Sequence, residues 1–325
     1  MKDTLLEIID LNKYFSLRGN IIDILRFKTS KKIKVIDNLN LKLSKGEILV
    51  VAGESGSGKT TLAKLIMRSI QSDSGKIIFD DRDITNIKGK ELLKLRSGIQ
   101  MIFQDPYSSL DPRMKIFDII KEPLEVHQKK ISKKELIDRV NFALKKVNLD
   151  PDEVSTKYPH MLSGGQRQRV SFARALVIKP SLIIADEPVS MLDVSIRFQI
   201  LDLMKKLKEE ENVSFLYITH DLSTSQYVGD KIIIIYRGQI IEQGNIHEVL
   251  RHPLHPYTKA LISAIPRFND FQEIKIKNEI ESSPNFGCKF LNKCLYSSEE
   301  CKNSEPTLIE ANRLHFIRCY NYESI

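Results

Sequence analysis

No run of apolar residues in this 325-residue chain approaches the ~20 needed to cross a bilayer. The longest, such as Ile232–Tyr236 and Leu182–Ala185, fit buried strands. The start, Met1 to Asp10, carries acids and lacks the basic opening and apolar core of a signal peptide. Both absences point to a chain that stays in the cytoplasm and reaches a membrane only through another subunit. No internal repeat is visible, so a single copy of the fold is expected. The lysine clusters Lys28–Lys34 and Lys129–Lys134 have no interleaved aromatics. The formal charge of +8 therefore reads as a solvated basic face rather than a nucleic-acid or lipid surface. Cysteine is absent from the first 287 residues, and all four lie in the last 38. A scattered set would rarely be so confined.

What is present has the composition of a globular protein, 42% apolar and 28% charged. The length allows one large domain with an appendage, or two modest domains. Ile48 to Ala52 reads as a strand running into a glycine-rich turn, with a helix from Lys59 whose apolar stripe is Leu62, Leu65 and Ile66. Ser132 and Glu135 form a capping-box pattern before a helix lined by Leu136, Val140, Leu144 and Val147. Leu182–Asp186 is a buried strand, Ile196, Ile200, Leu203 and Leu207 mark a helix, and Phe215–Thr219 is the next strand. Lys231–Tyr236 and Gln239–Gln243 read as a hairpin turning at Arg237-Gly238. Strands alternating with helices predict an α/β core with a mostly parallel sheet. The helical middle, about 105–178, reads as an insertion in that core, and Pro266–Pro284 as a linker.

Gly53-Glu54-Ser55-Gly56-Ser57-Gly58-Lys59-Thr60 fits the spacing G-x-x-x-x-G-K-[ST]. Glycines let backbone N–H groups curl around phosphates, and Lys59 supplies a point charge to the terminal ones. The Thr60 hydroxyl can bind Mg²⁺, and Thr61 stands next to it on the helix whose dipole faces the anion. A chance glycine turn would lack the strand before and the helix after. Asp186, at the end of its strand, suits Mg²⁺, and Glu187 directly after it can orient or deprotonate an attacking water. Alone, this pair could be a solvated strand end; beside the phosphate loop that reading loses its force.

Leu162-Ser163-Gly164-Gly165-Gln166 resembles the signature of the ATP-binding-cassette (ABC) superfamily. Five further motifs stand in the family's order over about residues 5–245. Gln104 is similar to the Q-loop glutamine, a ligand of Mg²⁺ and of the catalytic centre. Ser190-Met191-Leu192-Asp193 resembles the D-loop, with Asp193 kept and Met191 where alanine is usual. His220 resembles the switch histidine that senses the γ-phosphate. Phe15 sits where the family stacks an aromatic on adenine, with Tyr14 the weaker candidate.

The resemblance implies an α/β P-loop NTPase cassette. Its parts are a RecA-like core, an N-terminal antiparallel β subdomain and the inserted helical subdomain, over 1–245. A small cysteine-containing C-terminal extension follows over 246–325. Ser163 and the Gly164–Gly165 backbone precede a helix expected over Gln166–Val177, and the resemblance implies that Ser163, Gly164, Gly165 and Gln166 serve an ATP held on a partner cassette, so hydrolysis needs a dimer. Phe103 to Met114 and His252-Pro253-Leu254-His255-Pro256-Tyr257-Thr258 further resemble oligopeptide and dipeptide importers. The Arg18–Lys34 insertion and the Gly164–Arg169 run resemble the second of that family's ATPase subunits. By that resemblance the partners are a second ATPase in a heterodimer, two membrane permeases and an extracytoplasmic binding protein, with the chain on the cytoplasmic membrane face. Subfamily members also move nickel complexes, opines and sugars. A soluble ABC ATPase acting on DNA or ribosomes is the reading from another class. The 57 residues between Gln104 and Leu162 are too few for the coiled coil of DNA-repair members, and ribosomal members carry two cassettes. No direct contact with nucleic acid is expected.

Cys288, Cys294, Cys301 and Cys319 are spaced C-x5-C-x6-C-x17-C. Disulfides are disfavoured in a reducing compartment. Spacing alone leaves structural zinc and four-thiolate iron–sulfur ligation open. The family resemblance points to a [4Fe–4S] cluster, with zinc second and free thiols third. The tail supplies no cassette motif, so nucleotide binding is expected to be independent of it.

Overall fold

The computed structural model describes residues 4–16, 32–128, 130–264 and 286–324. Most of the Arg18–Lys34 insertion, residues 28–31 of the first lysine cluster, Lys129 and the Pro266–Pro284 linker lie outside the described residues. Contacts divide the chain into two units. One holds Leu43–Leu49 and Asn86–Thr219; the other holds Thr4–Lys42, Val50–Thr85 and His220–Ile325.

In chain order the first strands are β1 (Thr4–Ser16), β2 (Lys32–Ser44), β3 (Ile48–Ala52), β4 (Ser74–Phe79), β5 (Arg82–Asp83) and β6 (Ile99–Ile102). They are followed by β7 (Leu182–Asp186), β8 (Ser214–Thr219), β9 (Lys231–Tyr236), β10 (Gln239–Asn245), β11 (Ile309–Asn312) and β12 (His315–Ile317).

In the unit holding Asn86–Thr219, β6, β7 and β8 run parallel. Every residue of β7 and β8 is buried, the mark of a parallel strand covered on both faces. Ile102 stands opposite Ala185, and Asp186 opposite Ile218, so the three strands finish together. Open α/β sheets present functional residues at such carboxyl ends. Between β6 and β7 there are only helices among the described residues: Pro106–Ser109, Ile116–His127, Lys133–Lys146, Pro151–Val154 and Gly164–Leu176, with a 3₁₀ turn at Pro159–Met161. Gly164–Leu176 packs its buried Val170, Phe172, Ala173 and Leu176 face on Ile116–His127 and Lys133–Lys146. Arginines close the helix ends: Arg139 donates to the Val177 carbonyl at 2.7 Å and Arg169 to the Val147 carbonyl at 2.8 Å.

In the other unit, β2-β1-β4-β5 is one sheet. Leu6 pairs with Phe79 and Ile8 with Ile77, antiparallel. β9 and β10 form the hairpin expected from sequence. Its two-residue turn, Arg237-Gly238, has φ of 45° and 81°, the left-handed pair of a type I′ turn. Ile232–Ile235 are at most 2% exposed. Burying each such side chain fully is worth about 1.5–3 kcal/mol. The C-terminal residues continue this sheet: β12 pairs with β10, Glu242 opposite Ile317, and β11 pairs with β12.

Among the described residues no helix is long and apolar enough to cross a membrane.

Candidate functional site

β3 delivers the chain into Gly53, whose φ is 153° and where a Cβ would stand 2.2 Å from the Ile235 carbonyl oxygen. Only glycine fits. The loop closes as Ser57 N–H donates to the Glu54 carbonyl, and the helix Lys59–Ile66 begins at once. Its Leu62, Leu65 and Ile66 stripe is buried, as the periodicity predicts. Lys59 is buried and bends back, its Nζ donating to the carbonyls of Gly53 at 2.7 Å and Glu54 at 2.8 Å. Ser57 Oγ is buried without a hydrogen-bond partner. An orphaned hydroxyl inside a curl of backbone amides fits an anionic oxygen. Ser55, Gly56 and Thr60 are exposed and Thr61 half-buried around it. The Glu54 N–H is already engaged: it donates to the hydroxyl of Tyr257 at 2.9 Å.

Asp186 ends β7 and is 7% exposed. Glu187 follows in the left-handed region, φ 49°. Its N–H donates to the Ile218 carbonyl of β8, and its carbonyl accepts from Ser190 N–H and Oγ. A non-glycine residue held there is strained, and the neighbouring strand supplies the bonds that hold it. Gln104, two residues beyond β6, donates through Nε2 to Glu187 Oε2 at 3.0 Å. Sequence pattern does not report this backbone geometry.

The glycine motif opens the helix at Gly164, two residues earlier than the sequence reading. Ser163 and Gln166 build a reciprocal capping box: Ser163 Oγ accepts from Gln166 N–H at 3.3 Å and Gln166 Oε1 accepts from Ser163 N–H at 3.0 Å. A Cβ on Gly165 would lie 2.7 Å from Ile196 Cγ2, so glycine there lets the next helix approach. That helix, Val194–Glu211, starts after Asp193, whose side chain makes no capping bond. Met191 and Val194 are 58% and 60% exposed beside it. The Arg167 guanidinium stacks over Tyr107 at 4.1 Å, tying the segment after Gln104 to the glycine helix.

His220 directly follows β8 and is exposed, and Asp221 after it caps the helix Leu222–Val228. Phe15, near the end of β1, is 43% exposed with Lys13 Nζ 5.5 Å from its ring centre.

All four cysteines line one pocket, with His255, Phe290 and Tyr296. They carry no disulfide. Gly287, φ 83°, brings Cys288 against the Cys301 carbonyl, to which its N–H donates at 2.8 Å. Burial pushes the Cys288 thiol up to about 12 and the Cys319 thiol up to about 11, while the Phe290 and Asn321 N–H groups pull the other way. Among the described residues no three His, Cys, Asp or Glu side chains are grouped to hold a metal ion.

A glycine-rich phosphate loop, a paired carboxylate at a parallel strand's end and a capped glycine helix define a P-loop ATP-binding cassette. Residues 36–190 match the family described as "ABC transporter", and residues 241–301 match "Oligopeptide/dipeptide transporter, C-terminal region". The oligopeptide transport ATP-binding protein AppF of Bacillus subtilis is 40% identical, over 99% of this chain and 98% of that protein. OppF of Salmonella typhimurium is 40% identical, over 100% of this chain and 98% of its own. Among solved structures, the dimeric post-hydrolysis state of the ATP-binding cassette MJ0796 bound to ADP and Pi superposes with a TM-score of 0.65 at 28% identity, covering 74% of this chain and 99% of that one. The chain belongs to the ABC transporter family, as an ATP-hydrolysing cassette that carries the oligopeptide/dipeptide-type C-terminal region.

Proposed function

We propose that the chain is the ATPase subunit of a di- or oligopeptide importer, working on the cytoplasmic face of a membrane. Its partners in this reading are a second cassette, two permeases and an extracytoplasmic binding protein. The observation that carries the reading is the full-length likeness to peptide-transport ATP-binding proteins, together with the buried Lys59 and the orphaned Ser57 hydroxyl in the phosphate loop. The amides of Ser55 to Thr61 hold the phosphates, Lys59 turns from its carbonyls to the terminal ones, and Phe15 stacks on adenine. In this reading Thr60, Asp186 and Gln104 would hold Mg²⁺, which when bound would offset phosphate charge. Glu187 orients the attacking water and takes its proton, with Gln104 fixing its carboxylate. His220 senses the γ-phosphate.

Ser163, Gly164, Gly165 and Gln166 present a helix N-terminus to the ATP of the partner cassette, and Asp193 lies at the same seam. The exposed Met191 and Val194 beside them support a protein-covered face, and the MJ0796 neighbour is dimeric. The expected experiment is reconstitution with the permeases: ATP-dependent uptake of labelled peptide supports the reading, and ATP-dependent uptake of a nickel complex, opine or sugar but not peptide replaces the cargo.

For the tail, a [4Fe–4S] cluster held by Cys288, Cys294, Cys301 and Cys319 remains the proposal. What supports it is that four thiols, the right ligand type and number, line one pocket, two of them receiving backbone N–H groups, although as they stand they are not drawn together into a metal-holding group. Such a cluster would staple a tail with little apolar core of its own.

A further inference from the structure

We infer that Tyr257, in the C-terminal extension, is a positioning residue of the phosphate loop and sets Lys59 through a single peptide plane. The inference rests on the reading of that loop as the ATP site.

The peptide joining Gly53 to Glu54 is held at both ends. Its N–H donates to Tyr257 Oη at 2.9 Å, and its carbonyl oxygen accepts from Lys59 Nζ at 2.7 Å. A trans amide is planar, with C=O and N–H pointing opposite ways. Fixing the N–H toward Tyr257 therefore fixes the direction in which the carbonyl meets the ammonium. Without the hydroxyl, the plane can rotate, and both the loop backbone that cradles the phosphates and the starting position of the buried Lys59 are less fixed.

The hydroxyl is itself rigidly placed. Tyr257 is 1% exposed, and its ring packs against Tyr236 at 4.7 Å and Phe290 at 5.8 Å. Phe290 also meets His255 and Tyr236, both at 5.4 Å, and lines the cysteine pocket. The helix carrying Tyr257, Pro256–Ser263, is anchored at its start. His255 Nδ1 accepts the Tyr257 N–H at 3.0 Å, and the N–H groups of Leu254 and His255 donate to the Glu242 carboxylate. A 203-residue separation is thus bridged by a stiff element whose position depends on the tail. The inferred coupling runs against the expectation that nucleotide binding is independent of the tail. Tail integrity enters the affinity for ATP through Phe290, Tyr257 and the Gly53–Glu54 peptide.

The test uses the full chain and Tyr257→Phe, which keeps the ring and deletes one oxygen. Fluorescent Mg·ATP titration should show affinity falling roughly five- to tenfold, the size of one hydrogen bond's net contribution. In the assembled ATPase the loss should appear in KM, with kcat within about twofold. Amide exchange without nucleotide should speed up at Glu54. Unchanged affinity with an unchanged Glu54 amide overturns the inference, as does a lowered urea midpoint with unchanged affinity, which assigns the tyrosine to packing alone. Failure of the wild-type chain to bind Mg·ATP overturns the reading of the loop instead, and the Glu54 exchange measurement still reports on the Tyr257 contact.

Discussion

The side-chain amide of Gln104 donates to the Glu187 carboxylate at 3.0 Å, bridging the carboxyl ends of β6 and β7. The bond holds a carboxylate whose backbone is already strained at φ 49°. Gln104→Ala should therefore lower kcat roughly 10- to 100-fold, the cost of a misplaced catalytic group, and weaken Mg·ATP binding far less. Steady-state kinetics beside equilibrium binding checks this. A kcat within twofold of wild type would mean the contact does not steer Glu187.

Ser163 caps the helix Gly164–Leu176 through a reciprocal box with Gln166, and the proposed function gives that helix end to the partner's ATP. The isolated chain should hydrolyse ATP poorly and its partner should raise the rate. In mixed dimers, Ser163→Arg should damage the partner's phosphate-loop site more than its own. Full activity from a demonstrably monomeric sample contradicts this account.

Glu242 is fully buried and accepts from Leu254 N–H, His255 N–H and His315 Nε2 at 2.8, 3.0 and 2.8 Å. Glu242→Ala strands three partners, His255 and His315 among them buried, and should cost about 3–5 kcal/mol. Urea unfolding measures the loss, and limited proteolysis should show the C-terminal strands released first. A cost under about 1 kcal/mol would show the cluster is not a clamp.

On the proposed iron–sulfur reading of the tail, anaerobically purified protein should be brown, absorb near ~400 nm and carry about four irons per chain, as a cubane on four thiolates requires. Replacing any one of Cys288, Cys294, Cys301 or Cys319 with Ser should bleach it and loosen the tail. Colourless protein with stoichiometric zinc would replace iron–sulfur with zinc. Neither metal, with four freely alkylated thiols, would remove the metal altogether.

The elements legible in the sequence were those written in local pattern. Ile48–Ala52, the glycine loop and the Lys59 helix declare themselves by composition and period, and so does the Arg237-Gly238 turn. The acidic pair Asp186-Glu187 falls where an apolar run stops. What stayed hidden is long-range. Glu187 takes a left-handed φ because the Ile218 carbonyl of another strand holds its N–H. Tyr257 reads as part of a His-Pro-Tyr resemblance until its hydroxyl meets Glu54 N–H. Ile309–Asn312 and His315–Ile317 are too short and polar to announce strands, and pairing on β10 makes them so. Two glycines obscured the start of the Gly164 helix, which the Ser163–Gln166 box compensates.

The most direct test of the central claim, that this cassette hydrolyses ATP to drive import, is Glu187→Gln in the complex reconstituted with its permeases. Gln104 donates to Glu187 at the end of β7, and in the proposed mechanism Glu187 acts on the water while the residues assigned to Mg·ATP are left intact. Loss of a general base removes about 10²- to 10⁴-fold in rate. Steady-state hydrolysis and labelled-peptide uptake should both collapse while ATP binding persists and a closed dimer accumulates. Near-normal hydrolysis by the mutant complex would contradict the account.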